Sequence, residues 1–230
     1  LCIRGCPYGA YFSSNSSTLP AAEATGNMTL KTDSIVHSII YDDEKNKATG
    51  VRVLDSETLE MTEYYARIIF LNASTINSTL IMLNSKSRRF PNGFGNDSGE
   101  LGHNIMDHHF KAGARAQIDG YEDYYYHGNR PANGYLARFR NLGNEKMNYL
   151  RGFGYQGGAI RGGWANSGEA AFTGENLLKS ASTPGGWTMN LLGFGEILPY
   201  HNNRMYLDND KLDKWGMPTV IFETQIKENE

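Results

Sequence analysis

Between residues 34 and 83 the apolar residues change period, from the spacing of strands to that of a helix. Ile35, Val36, Ile39 and Ile40 form a strand-sized run, residues 42–47 carry turn chemistry, and Val51 and Val53 then alternate with polar neighbours, which is a hairpin pattern. A second turn at Ser56, Glu57 and Thr58 leads to a third, more polar strand ending about Tyr65. Residues 66–72, built on Ile68, Ile69, Phe70 and Leu71, read as a fully buried strand. Beyond it the period becomes helical: Ile76, Leu80 and Leu83 share one face of a helix that Ser74 or Thr75 can cap. The prediction is a β-meander feeding a strand-turn-helix unit. Such a unit places unpaired N–H groups and the positive end of a helix at the carboxyl end of a strand, where anionic or polar cofactor groups bind in open α/β sheets.

After Arg88 the texture changes to a glycine-rich loop over 91–102, then to segments thick in Tyr, Phe and Gly from Phe110 to about Leu198. A domain boundary is placed near residue 100, with a mainly antiparallel sheet over about 105–215. Along 150–158, Arg151, Phe153 and Tyr155 alternate with Gly152, Gly154, Gln156 and Gly158, so a strand here has one bulky and one nearly bare face. A large group packs on the bare face; another piece of the protein is preferred over a ligand. In the stretch Tyr121-Glu122-Asp123-Tyr124-Tyr125-Tyr126 the adjacent tyrosines would alternate across a strand, so they cannot form one sugar-stacking platform and are read as a mobile loop.

Composition excludes several classes. The 230 residues carry 22 basic and 25 acidic side chains, a net charge of -3, which is not the profile of a polybasic nucleic-acid binder. No stretch approaches the ~18 consecutive apolar residues of a membrane helix, so no membrane segment is expected in this chain. Cys2 and Cys6 could close only a tiny loop; they are read as free buried thiols, and the compartment stays open. Sequons stand at Asn15, Asn27, Asn72, Asn77 and Asn96, but burial of the strand before Asn72 argues against glycosylation as their common purpose, and they are taken as chance. A start at Leu1 and a stop in a charged segment at Glu230 read as a piece of a longer protein.

The densest ligand-capable cluster is His103, Asp107, His108 and His109, with His103 and Asp107 at the i,i+4 spacing of one helix face. No further ligand sits at a familiar spacing, so the cluster is read as structural hydrogen bonding and no metal is expected. There is no G-x-G-x-x-G opening a helix, no G-x-x-x-x-G-K-[ST] and no G-x-S-x-G, so phosphate-cradling and serine-hydrolase readings lack support.

Several segments in order resemble the central part of the glucose-methanol-choline (GMC) family of flavin-dependent oxidoreductases, in its sugar- and polyol-oxidising branch. They are Cys6-Pro7-Tyr8-Gly9-Ala10 with Ser13 or Ser14; Met28-x-Leu30, Val36-x-x-Ile39 and Lys47-Ala48-Thr49-Gly50-Val51; and Ile69-Phe70-Leu71-Asn72-Ala73-Ser74 with Leu80-Ile81-Met82-Leu83-x-Ser85. Gly93-Phe94-Gly95-Asn96 to Gly102 and Met106-Asp107-His108 follow, then Glu196-Ile197-Leu198-Pro199, Asn203-Arg204-Met205-x-Leu207 and Asp213-x-Trp215-Gly216-x-Pro218. Ser74 stands where the family pattern has glycine, and Thr79 where it has proline.

The resemblance implies an α+β fold: a β-meander plus strand-helix remnant of an FAD-binding domain over 1–100, joined to a mainly antiparallel sheet substrate-binding domain over 101–230 whose C-terminal end leads back to the flavin domain. It implies that the intact protein oxidises a CH–OH group of a sugar or polyol by hydride transfer to FAD, while a base beyond Glu230 takes the proton. Val36 would contact the adenine through its backbone, and Ala73 and Ser74 would line the flavin side through main chain. The family's dinucleotide-binding turn lies before this segment and its catalytic histidine after it. No catalytic residue is therefore assigned in the chain, which alone is expected to be inactive and not to hold FAD tightly. Substrate contacts are assigned to Gln156, the hydrogen-bonding side chain among the glycines of its face, to Glu196, and to Arg161 as Glu196's partner. The electron acceptor stays open. The alternative is a non-enzymatic carbohydrate-binding module, favoured by the aromatic sheet.

Overall fold

A computed structural model describes residues 10–109, 112–124, 133–162, 173–182 and 184–230. Cys2, Cys6, most of the segment around Gly9, and Tyr125 and Tyr126 of the tyrosine stretch lie outside the described residues. The chain divides into two compact units, Leu1–Ile105 with Pro199–Gln225, and Met106–Leu198 with Ile226–Glu230. Its described elements are a mixture of short helices and antiparallel sheets, so the α+β expectation holds.

In the first unit, a π-helical turn (Ser14–Thr18) and α1 (Leu19–Glu23) precede the expected meander, β1 (Ser34–Asp42), β2 (Lys47–Asp55) and β3 (Met61–Tyr65), which pair antiparallel in that order. Aspartates close both turns. Asp42 Oδ1 accepts from the amides of Glu44 and Lys45 at 3.1 and 2.9 Å, and Asp55 Oδ1 from those of Glu57 and Thr58 at 2.9 and 2.8 Å. In β1 the register slips between Val36 and Ser38, a bulge that takes His37 out of the ladder.

Residues 66–73 correct the buried-strand expectation. They form no strand, and Ile68 and Phe70 are 71% and 81% exposed. A buried strand needs a hydrogen-bonded neighbour to satisfy its backbone, and among the described residues no strand runs beside these. Asn72 is therefore exposed, and the burial argument about its sequon falls. The helix does follow, as α2 (Ser74–Asn84), but its cap is Ala73 and no side chain caps it. Neither Ser74 nor Thr75 does so, because both lie inside the helix and Ser74 adopts φ 66.

The buried line of α2 also differs from the expected one: Ile81 and Ser85 are buried, whereas Ile76 is 49% exposed. Ser85 fixes α2 to β1, its hydroxyl accepting from the Ile39 amide at 2.7 Å and donating to the Ile81 carbonyl at 2.5 Å. Ile39, Leu54 and Ile81 form the core with Met205 of β9 (Arg204–Leu212) and with Met217, just before the strand that pairs with it, β10 (Pro218–Glu223). Gly102, at φ 88, lets its carbonyl accept from the Met205 amide at 2.7 Å; a Cβ there would strike the Met205 carbonyl.

The second unit is an antiparallel sheet of β4 (His108–His109), β5 (Gly113–Ile118), β6 (Gly134–Leu136), β7 (Gly154–Arg161) and β8 (Trp187–Glu196). β8 is its spine, pairing β7 along one edge and β5 and β4 in succession along the other. The helix α3 (Gly174–Ser182) interrupts the region read as strands. At Tyr121 the backbone carbonyl accepts from Trp187 Nε1 at 2.9 Å. The bare face of the 150–158 segment is covered by protein only in part: a Cβ at Gly152 would meet the Arg138 side chain and one at Gly154 would meet Tyr135 Oη at 3.0 Å, whereas Gln156 is exposed and a Cβ at Gly158 would find only the Gly134 nitrogen at 3.9 Å.

Candidate functional site

Two features can do chemistry, one in each unit. In the first unit it is the start of α2. With no side-chain cap and no acidic residue in the first turn, the opening amides of α2 have no acceptor from a capping side chain, and Ser74 and Thr75 are exposed. That arrangement suits an anionic group. Ala73 and Ser74, assigned from the sequence to the flavin side, are the two residues at this point. Val36 lies elsewhere in the same unit: it is half-buried in β1 opposite Val53 and adjoins the bulge, where Asn84 Nδ2 donates to the His37 carbonyl at 3.0 Å. Since Asn84 ends α2, Val36 and Ala73 stand near opposite ends of a helix of about 16 Å. The structure does not bring them together.

In the second unit a cavity of about 270 Å³ is lined by His109, Tyr149, Phe153, Tyr155, Gly193 and Glu196, among others. Its origin is register. Cross-strand partners share a face, so Tyr155 lies over Gly193, and His109, opposite Gly195, falls on that face too. Of the two glycines at alternate positions of β8, Gly193 lies under the Tyr155 ring, a carbon of which a Cβ there would meet at 3.3 Å; the rings of Tyr155 and of Phe153, just before β7, meet edge to face with centroids 5.6 Å apart. A Cβ built on Gly195 would make ordinary van der Waals contacts with the Cβ atoms of His109 and Phe153 at 3.7 Å and with His109 Nδ1 at 3.8 Å.

Of the three residues assigned to substrate, Glu196 alone lines this cavity. Its carboxylate pairs with Arg151 at 2.9 Å, not with Arg161. The expected Glu196–Arg161 pair cannot form: Arg161 faces Trp187, nine residues along β8 from Glu196, roughly 30 Å at strand rise. Arg161 is buried, its Nε donating to the Gly185 carbonyl at 3.1 Å and its guanidinium also to the Tyr124 carbonyl, with the Trp187 ring 5.9 Å away. Gln156 is exposed, one residue from Tyr155 and so on the opposite face.

The histidine cluster is corrected as well. Residues 103–107 form no helix, and Asn104 at φ 61 breaks any helical run, so the i,i+4 argument does not apply. His103 instead stacks on His201 with centroids 4.0 Å apart, its Nδ1 2.8 Å from the His201 carbonyl. Among the described residues no group of three or more His, Cys, Asp or Glu side chains gathers as metal ligands would.

The family model of the GMC oxidoreductases matches residues 1–110, so the resemblance to that family carried by the motifs is borne out. One curated relative is the 2-methyl-1,2-propanediol dehydrogenase of Mycolicibacterium austroafricanum, 27% identical over an alignment covering 99% of this chain. The chain spans 41% of that relative's length.

Proposed function

We propose that this chain is part of an FAD-dependent oxidoreductase acting on a CH–OH group of a sugar or polyol, with a small diol as the first substrate to try. The observation that carries the proposal is the uncapped start of α2, which falls inside the GMC-matched residues and directly after the motif assigned to the flavin side. The residues present fit a flavin dinucleotide there: open amides suit its phosphates or polar ring edge, and the left-handed Ser74 stands where the family pattern has glycine. When bound, the cofactor supplies acceptance of a hydride from the carbinol carbon. Ala73 and Ser74 would hold it through main chain, and Val36 would meet the adenine. On the substrate side Glu196 is the residue the geometry favours, a carboxylate held by Arg151 at the edge of an aromatic cavity. Gln156 and Arg161 carry less: one opens on the other face, and the other is tied to backbone carbonyls.

Expressed from its complete reading frame, the protein should co-purify with flavin that small diols bleach without oxygen. Ala73→Asp should abolish flavin content through bulk and charge repulsion, whereas Val36→Ala should leave it unchanged because the contact is main-chain. Colourless wild-type protein would end the proposal in favour of a sugar-binding module. Full flavin content in Ala73→Asp would show the placement to be wrong.

A further inference from the structure

We infer that Asn203 is a positioning residue: its hydrogen-bonding groups fix, at one point of the first unit, all three places where the chain passes to or from the second. This role is separate from the proposed reaction and is tested without flavin.

The chain leaves the first unit after Ile105, returns at Pro199 and leaves again after Gln225. Asn203 binds at each of these ends. Its carbonyl accepts from the Ile105 amide at 2.9 Å, and its own amide donates to the Tyr200 carbonyl at 2.8 Å, closing the turn that follows Pro199. Its side chain takes Gln225 at both backbone groups, Oδ1 accepting from the amide at 2.9 Å and Nδ2 donating to the carbonyl at 3.2 Å. The last backbone pair of β9 and β10 is Arg204 with Glu223, so the Asn203 side chain carries the pairing on where the two backbones part.

Burial sets this residue apart from an ordinary turn asparagine. Asn203 is 1% exposed, the largest fully buried side chain among the described residues. A side-chain amide is tolerated there only with its polar atoms paired, a demand that an apolar residue would not make. What the amide adds is direction, because it holds one peptide group in one orientation. Beside it, the bond from the Met205 amide to the Gly102 carbonyl and the stacking of His103 on His201 lay the segment ending at Ile105 along the start of β9.

The second unit holds its own side of each passage. The Asp107 carbonyl accepts from the Ile197 amide at 2.9 Å, and the two Glu230 carboxylate oxygens accept from the amides of Leu198 and Lys227 at 3.0 and 2.9 Å. Between the anchors of the two units each passage keeps a single residue, Met106, Pro199 or Ile226. One residue spans at most about 3.6 Å, so a passage has little slack. Loosening the ends in the first unit is therefore transmitted to the Ile197 amide in the second.

Amide hydrogen exchange followed by NMR on the 230-residue chain tests this with Asn203→Ala and Asn203→Asp. The second variant keeps the acceptor for the Gln225 amide and loses the donor to its carbonyl, so it decides the matter alone if Asn203→Ala does not fold. The amides to follow are Ile105, whose main-chain acceptor survives both substitutions, and Ile197. Both should exchange roughly tenfold faster in Asn203→Ala and about threefold faster or more in Asn203→Asp. Val51 in β2 and Met189 in β8, each paired on both sides, should keep their wild-type rates. Faster exchange at Gln225 with Ile105 unchanged would mean that the side chain ties one end only. An unchanged Ile197 would mean that it steadies its own unit and nothing beyond. A rise at Val51 and Met189 equal to that at Ile105 would mean general destabilisation. Any of the three would overturn the inference.

Discussion

Ser74 holds a backbone conformation that L-residues avoid, φ 66, at the first residue of a helix, where the family pattern has glycine. The left-handed region costs a residue with a Cβ about 1–2 kcal/mol, partly returned by glycine's greater freedom in the unfolded chain. Ser74→Gly should therefore stabilise the protein by about 1 kcal/mol, a rise in melting temperature of roughly 2–4 °C, while Ser74→Val should lower it. An unchanged or lower melting temperature for the glycine variant would show that no strain is stored there. A second residue-scale prediction concerns His37. Burial, reinforced by the Arg52 guanidinium, holds its imidazole below the ordinary value of 6.5. The unfolded chain then binds this proton more readily, so His37 leaves stability undiminished above pH 6.5 and lowers it as pH falls from there towards the folded value. His37→Gln should flatten that part of the curve: the gap in melting temperature between wild type and variant should shift in the variant's favour on acidification, and a constant gap would refute the assignment. At this scale the sequence was legible where chemistry is local. The departure of Ser74 from glycine was visible before its φ was known, but the Arg151–Glu196 pair was not, because Arg151 and Arg161 are equivalent without a register.

Elements were legible in proportion to how far their own residues determine them. The meander could be read because its turns are closed by aspartates within three residues, Asp42 and Asp55, and its strands pair with sequence neighbours. Residues 66–73 could not, since whether an apolar run becomes a strand depends on what lies alongside. The face of α2 was misjudged for a related reason. Ile76, Leu80 and Leu83 have the right spacing, yet the helix turns Ile81 and Ser85 inward because a polar side chain, Ser85, meets the unpaired Ile39 amide beyond the bulge. That hydroxyl holds two elements together. Ser85→Ala should cost about 1–3 kcal/mol, the penalty of leaving a buried amide unsatisfied, and should speed hydrogen exchange at Ile39 above that at Leu54 in the neighbouring strand. Equal exchange rates at the two amides, with stability unchanged, would mean that apolar contact alone seats α2. The cavity over β8 was half legible. The bulky and bare alternation of 150–158 was noticed, but the floor belongs to Gly193 and Gly195, and only the pairing of Tyr155 with Gly193 joins the two patterns.

On the proposed function, cofactor affinity in the 230-residue chain rests on the first unit. A dinucleotide is held tightly when both of its halves and the pyrophosphate between them are engaged, because the entropy lost on binding is nearly the same whether one end or both are fixed. The chain offers an amide-rich helix start at Ala73 and a bulged strand at Val36, but its one G-x-G-x-x-G, from Gly152 to Gly157, runs into strand β7 and opens no helix that could bind the pyrophosphate. Ala73's helix start is also exposed, with Phe70 before it in solvent, so charge attraction to phosphate is screened by salt. One anion-receptive helix end contributes on the order of 1 kcal/mol, far short of the ~8 kcal/mol of a micromolar complex. FAD titrated into the purified 230-residue chain should consequently show no saturable change in flavin fluorescence up to roughly 0.1 mM, and the protein should emerge colourless from gel filtration. The same titration on the product of the complete reading frame should saturate, which separates a missing half-site from a wrong family reading. A yellow 230-residue chain would mean that these elements alone hold both halves of the cofactor, and that the pyrophosphate has found amides other than those of a glycine-rich turn.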